Sequence, residues 1–214
     1  ILTHIGHSEK VLFMRVFITV LVLIFSLQSW TKADDISDFE IEGMSIGDSL
    51  LDYASKEEIN ASMITDYKSK LYSRFTIRSI NLNPLELYDD IQVHFKTKDK
   101  NLIIVSMSGG IYNSNEFDQC LKDKKQVIKD ISTILPNTMR IDGGTSPWLT
   151  VDSSGKTITS TYYFNFGSNK YNDYIEVACY DWNEELDRNM RGNDHLKVAA
   201  HSKKFGKWMS EEAY

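Results

Sequence analysis

Hydrophobic positions along this chain fall into runs of three kinds: one unbroken, several of helical period and several of period two. The unbroken run is Val16 to Leu27 (VFITVLVLIFSL), with Arg15 before it and Thr31-Lys32-Ala33 after it. A basic start, an apolar body and small residues at a cleavage position make Met14 to Ala33 an export signal. This run of twelve residues falls short of the roughly 20 that span about 30 Å of hydrocarbon. Removal of the signal is therefore expected, with a retained anchor at Val16–Leu27 as the alternative. Ile1 to Phe13 precede Met14 and are set aside, so residues 1–33 read as an upstream extension plus signal peptide. Residues 34–214 read as a single domain, long enough for one real core.

Helical spacing begins at Ser45. Ser45 with Asp48, and Ser55 with Glu58, match the capping box in which hydroxyl and carboxylate satisfy free first-turn amides. Two short helices in succession are expected there, with Leu50, Leu51 and Ala54 and then Ile59 and Met63 facing inward. A longer helix is expected over Asn115 to Leu135, from the spacing of Phe117, Cys120, Leu121, Val127, Ile128 and Ile131, with Pro136 as its stop. Ser202 opens a last helix carrying Phe205, Trp208 and Met209.

Period two governs the rest. Phe75 and Ile77 mark a strand that Pro84 follows. Ile91, Val93 and Phe95, the turn Lys98 to Asn101 and the run Leu102 to Met107 read as a hairpin. After a loop holding Gly143, Gly144 and Pro147, the runs Trp148–Val151, Thr157–Phe166 and Tyr171–Trp182 read as an antiparallel meander, and Leu196, Val198 and Ala200 add a strand. The expected class is α+β: an antiparallel sheet, hairpin plus meander, covered on one face by helices. Helix followed by sheet recurs at Ser45–Tyr112 and Asn115–Trp182, a loose tandem duplication.

Cys120 lies on the inner side of its helix, and Cys179 shares a strand face with Ile175 and Val177. Packing that helix on that strand brings the thiols together, and in an oxidising compartment a disulfide is expected, two inert buried thiols being the alternative. The spacing is not that of a redox pair.

Charge excludes one class of partner. The chain carries −6, and cleavage after Ala33 would leave 181 residues with 21 basic and 29 acidic side chains, a net −8. Nucleic-acid binding needs clustered cations, yet the densest basic run, Lys122 to Lys129, is broken by Asp123 and followed by Asp130, as a solvated helix face would be.

Chemical motifs are few. Gly43-Met44-Ser45-Ile46-Gly47 matches the G-x-S-x-G elbow of serine hydrolases, but nine residues separate Ala33 from Gly43, leaving no room for the strand and oxyanion loop that such a fold places earlier. Capping by Ser45 explains the same residues. Ser154-Gly155-Lys156-Thr157 imitates the end of a phosphate loop, although Thr150 stands where its first glycine belongs; it reads as a hairpin turn. His94, His195 and His201 read as isolated exposed side chains, with His195 and His201 at a spacing that forms no useful pair. Asp89-Asp90 and Glu184-Glu185 read as solvated neighbours. No cofactor or metal pattern is present. Aromatics crowd the meander, and Tyr162, Phe164, Tyr174 and Tyr180 form a possible binding surface unless the terminal helix covers them through Phe205 and Trp208.

At FEIEGMSIGDSLLDYASKEEI (Phe39–Ile59), in the helix with Cys120 and at the ending FGKWMSEEAY, the sequence resembles a group of uncharacterised small exported bacterial proteins. That resemblance implies export and carries no activity. Gly43-Met44-Ser45, opening a short helix ahead of a hairpin, is similar to helix-plus-sheet modules of outer-membrane assembly lipoproteins and β-lactamase inhibitor proteins, which implies binding to other proteins. The expectation is a periplasmic or secreted, disulfide-stabilised, non-enzymatic binding module. Its partner would be another envelope protein or a small ligand, and a membrane only if the signal is retained. The alternative is an exported serine hydrolase using Ser45 with a histidine such as His195.

Overall fold

Alternation and turn chemistry produce one seven-stranded antiparallel sheet in the computed structural model, which describes residues 35–65, 67–80, 83–112, 117–169, 171–185 and 194–213. The signal segment, and with it the anchor alternative, lies outside the described residues. Two short strands, β1 (Glu40–Ile41) and β2 (Met44–Ser45), form a hairpin whose turn residues Glu42 and Gly43 both have positive φ. Then come a one-turn helix at Leu50–Asp52, capped by Ser49, and helix α1 (Lys56–Ser62). Strands β3 (Tyr72–Ile77), β4 (Ser79–Ile80), β5 (Asn83–Pro84), β6 (Asp90–Lys96) and β7 (Ile104–Ile111) lead into the long helix α2 (Phe117–Ile134). Strands β8 (Met139–Pro147), β9 (Ile158–Asn165), β10 (Tyr174–Asp181) and β11 (His195–His201) follow, and α3 (Lys203–Glu211) ends the chain. The main sheet runs β3-β6-β7-β11-β10-β9-β8: a three-strand meander and a four-strand meander meet where β7 pairs β11.

The α+β class is as the patterning implies. The capping box at Ser55 and Glu58 forms in full. At Ser45 the expected helix is absent: Ser45 ends the β1–β2 hairpin, and Asp48 accepts its amide (2.8 Å) as well as the Tyr53 hydroxyl (2.8 Å). The sequence signature of a cap here serves a turn, because Gly43 and Gly47 take left-handed conformations that break helical continuity. A second correction concerns the meander. Trp148–Val151 is a turn, and the strand lies upstream in Met139–Pro147, the stretch read as a loop. A bulge between Asp142 and Gly144, with φ +69 at Gly144, lets glycines sit within a strand. Pro147 is tolerated because β8 is an edge strand.

The core lies between the sheet and α2, where Ile91, Val93, Phe95, Met107, Ile175, Val177 and Phe164 are sealed. Cys120 and Cys179 are joined by a disulfide, with Cα atoms 5.9 Å apart, fixing α2 to β10. The amphipathic α3 takes the opposite sheet face, where Phe205 and Trp208 pack on Tyr67 and Tyr72. A bulge between His94 and Phe95 on β6 accommodates an extra residue of β7, so Ile104 and Met107 both point to the core while Ser106 faces α3.

Gly109 in β7 lies directly beneath the Tyr88 ring, and a Cβ there would fall inside the van der Waals radii of three ring carbons. Alanine normally gains on glycine in a strand. Gly109→Ala should instead destabilise by about 1–3 kcal/mol through overpacking, read as a lower urea midpoint; a higher midpoint would refute the close packing.

Candidate functional site

Strand pairing brings together the polar phase that the apolar alternation leaves behind. Opposite the α2 face, β10 presents Tyr174, Glu176, Ala178 and Tyr180, and β11 presents His195, Lys197, Ala199 and His201. Glu176 pairs Ala199, between Lys197 and His201. Its carboxylate accepts from Lys197 Nζ at 2.8 Å and lies 3.7 Å from His201 Nε2. His201 Nδ1 is 2.8 Å from Ser106 Oγ, and nearby His94 Nε2 is 2.8 Å from the Tyr67 hydroxyl. Phe205 stacks on His201, with ring centroids 5.7 Å apart.

Burial sets the protonation states. It would push the Glu176 carboxyl up, but Lys197 and His201 outweigh it and draw it down to about 2. Burial works against the Lys197 ammonium too, yet Glu176 and Tyr180 hold its pKa above the usual lysine range. Burial lowers His201 below the ordinary histidine value despite its bond to Glu176, and His94 falls to about 3. The ion pair is thus Glu176 with Lys197, and both imidazoles are neutral at pH 7.

Serine, histidine and glutamate in hydrogen-bonded order imitate a nucleophile, base and orienting acid. Ser106 is fully buried, however, with His201 stacked under Phe205. Two grooves of about 570 and 560 Å³ lie elsewhere, one between α1 and β3, the other at Lys70, Leu71 and residues 96–99. The cluster therefore has the build of a sealed structural network that fixes the α3 end of the face.

Beyond that network the face turns aromatic. Tyr112 meets His195 (5.4 Å between centroids), His195 stacks on Tyr180 (4.8 Å), Tyr180 stacks on Trp182 (6.1 Å), and Trp148 leans on both Tyr180 (5.4 Å) and Trp182 (5.6 Å). Lys197 Nζ lies 5.0 Å over the Tyr180 ring, a cation–π contact. The turn after β8 that carries Trp148 is tied down by Asp152, which accepts from the amides and hydroxyls of Ser154 and Thr157 and from the Asn183 side chain. These bonds, that to the Ser154 hydroxyl foremost, hold its carboxyl well below the usual range. Trp148 and Trp182 remain half-buried, while Leu149 is 64% and Val151 37% exposed. The Trp182 indole N–H is shielded and finds no acceptor among the described residues.

The four aromatics expected as one surface divide between faces. Phe164 is sealed in the α2-side core with Tyr162 packed beside it, whereas Tyr174 and Tyr180 lie on the other face. Strand alternation decides this, since even positions of β9 pair with odd positions of β10. Tyr174 is where α3 reaches the sheet, its ring against Gly206. The histidines also depart from expectation: His94 is buried, and His195 and His201, an even number apart, share one face of β11. Asp89 and Asp90 accept from the Tyr112 amide and hydroxyl rather than standing free in solvent. Ser45 occupies a hairpin, not a strand-to-helix elbow, and Ser154–Thr157 lies in the β8–β9 turn, with Gly155 at φ +74. Glu176, Lys197, Trp148 and Trp182 were missed as a group, although Tyr174, Glu176 and Tyr180 carry the second phase of an alternation whose first phase is plain.

No protein-family model, curated protein or solved structure matches the chain.

Proposed function

We propose that this protein is an exported, disulfide-stabilised binding module of the bacterial envelope that captures another protein without catalysing a reaction. The observation that supports this reading is the Trp148–Trp182–Tyr180 cluster, with Tyr180 stacked on Trp182 and Trp148 tilted against both, beside exposed Leu149 and Val151. Aromatic rings held rigid by stacking lose little freedom on binding and dominate the energetics of protein interfaces. Tyr180 and the Asp152-anchored turn pre-organise the two indoles, so a partner would meet a formed surface.

The export part is checked by intact mass of protein recovered from the envelope of a bacterial host: a chain starting at Asp34 that gains two hydrogens on reduction supports it, and an uncut chain refutes it. The binding part is checked with a photo-crosslinking residue at Leu149 in that host. A discrete protein adduct should form, and should be lost with Trp148→Ala or Trp182→Ala. A control crosslinker at exposed Leu51, beside α1, should not form it. The same adducts from both positions, or an adduct at Leu149 indifferent to both tryptophans, would refute the surface.

A further inference from the structure

Strand β8 is exposed at all nine positions, and among the described residues no strand pairs its outer side. The Phe166 amide bonds the Asp173 carbonyl on the β10 side (2.9 Å). By alternation Tyr163 and Asn165 turn their backbone groups toward β8, where they meet Ile141 and Met139. Arg140 and Asp142 consequently direct their amides and carbonyls to the free edge. Their side chains share the α2 face, where Arg140 reaches the Ser132 carbonyl at 3.3 Å. Ile141 is on the opposite face, 42% exposed.

We infer that β8 is a self-association edge that pairs antiparallel with β8 of a second copy about a two-fold axis at Ile141. In that register Arg140 stands opposite Asp142 of the other copy, twice. Both residues have outward backbone groups, so each Arg140–Asp142 couple exchanges two main-chain hydrogen bonds as well as an ion pair on the α2 face. The two Ile141 side chains meet on the other face at a non-hydrogen-bonded position, where side chains approach most closely. A register shifted by one residue would place Arg140 against Ile141 and set inward backbone groups against outward ones. Charge and hydrogen-bond parity thus select the same pairing, and its product is a continuous fourteen-stranded sheet. Past the Gly143–Gly144 bulge, Pro147 presents no amide to the edge, which confines pairing to the first half of β8.

The test is sedimentation equilibrium of the oxidised protein over a concentration series from micromolar upward. A concentration-dependent dimer is expected. R140D and D142R should each weaken it on the order of tenfold by placing like charges opposite each other at two positions. The double swap R140D/D142R should restore it. Asp142 also accepts the Gly144 amide (2.9 Å), so near-ultraviolet circular dichroism of each variant checks that the fold persists. An independent reading comes from Ile141→Cys, since the native cysteines are already bonded to each other. Mild oxidation should link two copies through position 141 faster than through Thr145→Cys, which the pairing leaves without its counterpart. A monomer at every concentration, a dimer indifferent to both charge reversals, or faster linkage at 145 than at 141 would each overturn the assignment.

Discussion

Replacing Cys120 and Cys179 together by alanine will lower the unfolding free energy by about 4 kcal/mol. The two cysteines are 59 residues apart, and a cross-link of that span removes roughly this much loop-closure entropy from the unfolded chain. Domains of this size are stable by about 5–15 kcal/mol in total, so the bridge decides whether the fold holds under stress. Its position adds to its weight: it joins the first turn of α2 to β10, the strand against which that helix packs. Both cysteines are sealed, at 1% and 0% residue exposure, so reduction should require partial opening and proceed slowly in native conditions. Urea unfolding of the wild type with and without reductant, beside the double variant, measures the effect. Coincident midpoints for all three would show that the bridge contributes nothing.

Lys197→Met will cost about 3–5 kcal/mol near neutral pH, because it leaves the Glu176 carboxylate charged and shielded without its cation. Both side chains of this pair are largely withdrawn from water, at 23% and 11% exposure. Methionine keeps the length and loses the charge, so packing changes little. The pH dependence gives the prediction its sign. In the wild type the folded pKa of Glu176 lies near 2, below its ordinary 4.5. The stabilisation is therefore complete above 4.5 and disappears as pH falls from 4.5 through 2. In the variant the Lys197 charge is gone and only His201 still opposes burial, so that pKa rises from its wild-type value and acid relieves the penalty. The gap between variant and wild type should narrow on acidification, and K197M/E176Q should recover part of the loss at neutral pH. Urea midpoints at pH 7 and pH 4 test this; a gap that widens in acid would mean that Glu176 is not the charge left behind.

Much of the architecture was legible because burial on one face imposes a period that sequence displays directly. The Ile91–Val93–Phe95 alternation, the α2 stripe ending before Pro136 and the α3 triplet Phe205, Trp208 and Met209 all became the elements their spacing implies. Strand β8 was illegible for a matching reason: it is an edge exposed on both faces, so nothing selects a hydrophobic phase along Met139–Pro147. Ser45 misled because the same short-range bond between a carboxylate and an amide can close a turn or start a helix. The candidate site was hidden for a third reason. Its residues come from the turn after β8, from β7, β10 and β11 and from positions just beyond them, and a position within one strand does not reveal what stands opposite it in the next.

By itself, then, the sequence determined the α+β class, the inward faces of the central strands and long helix, and which two cysteines would meet, because these follow from local periodicity and from having one core to fill. Only the tertiary structure decided that α3 covers the face opposite α2, that Glu176 is held between Lys197 and His201, that Trp148 joins Trp182 and Tyr180, and that β8 stands open at the edge. Each of these depends on strand register and order, which are settled by hydrogen bonding between segments far apart in the chain.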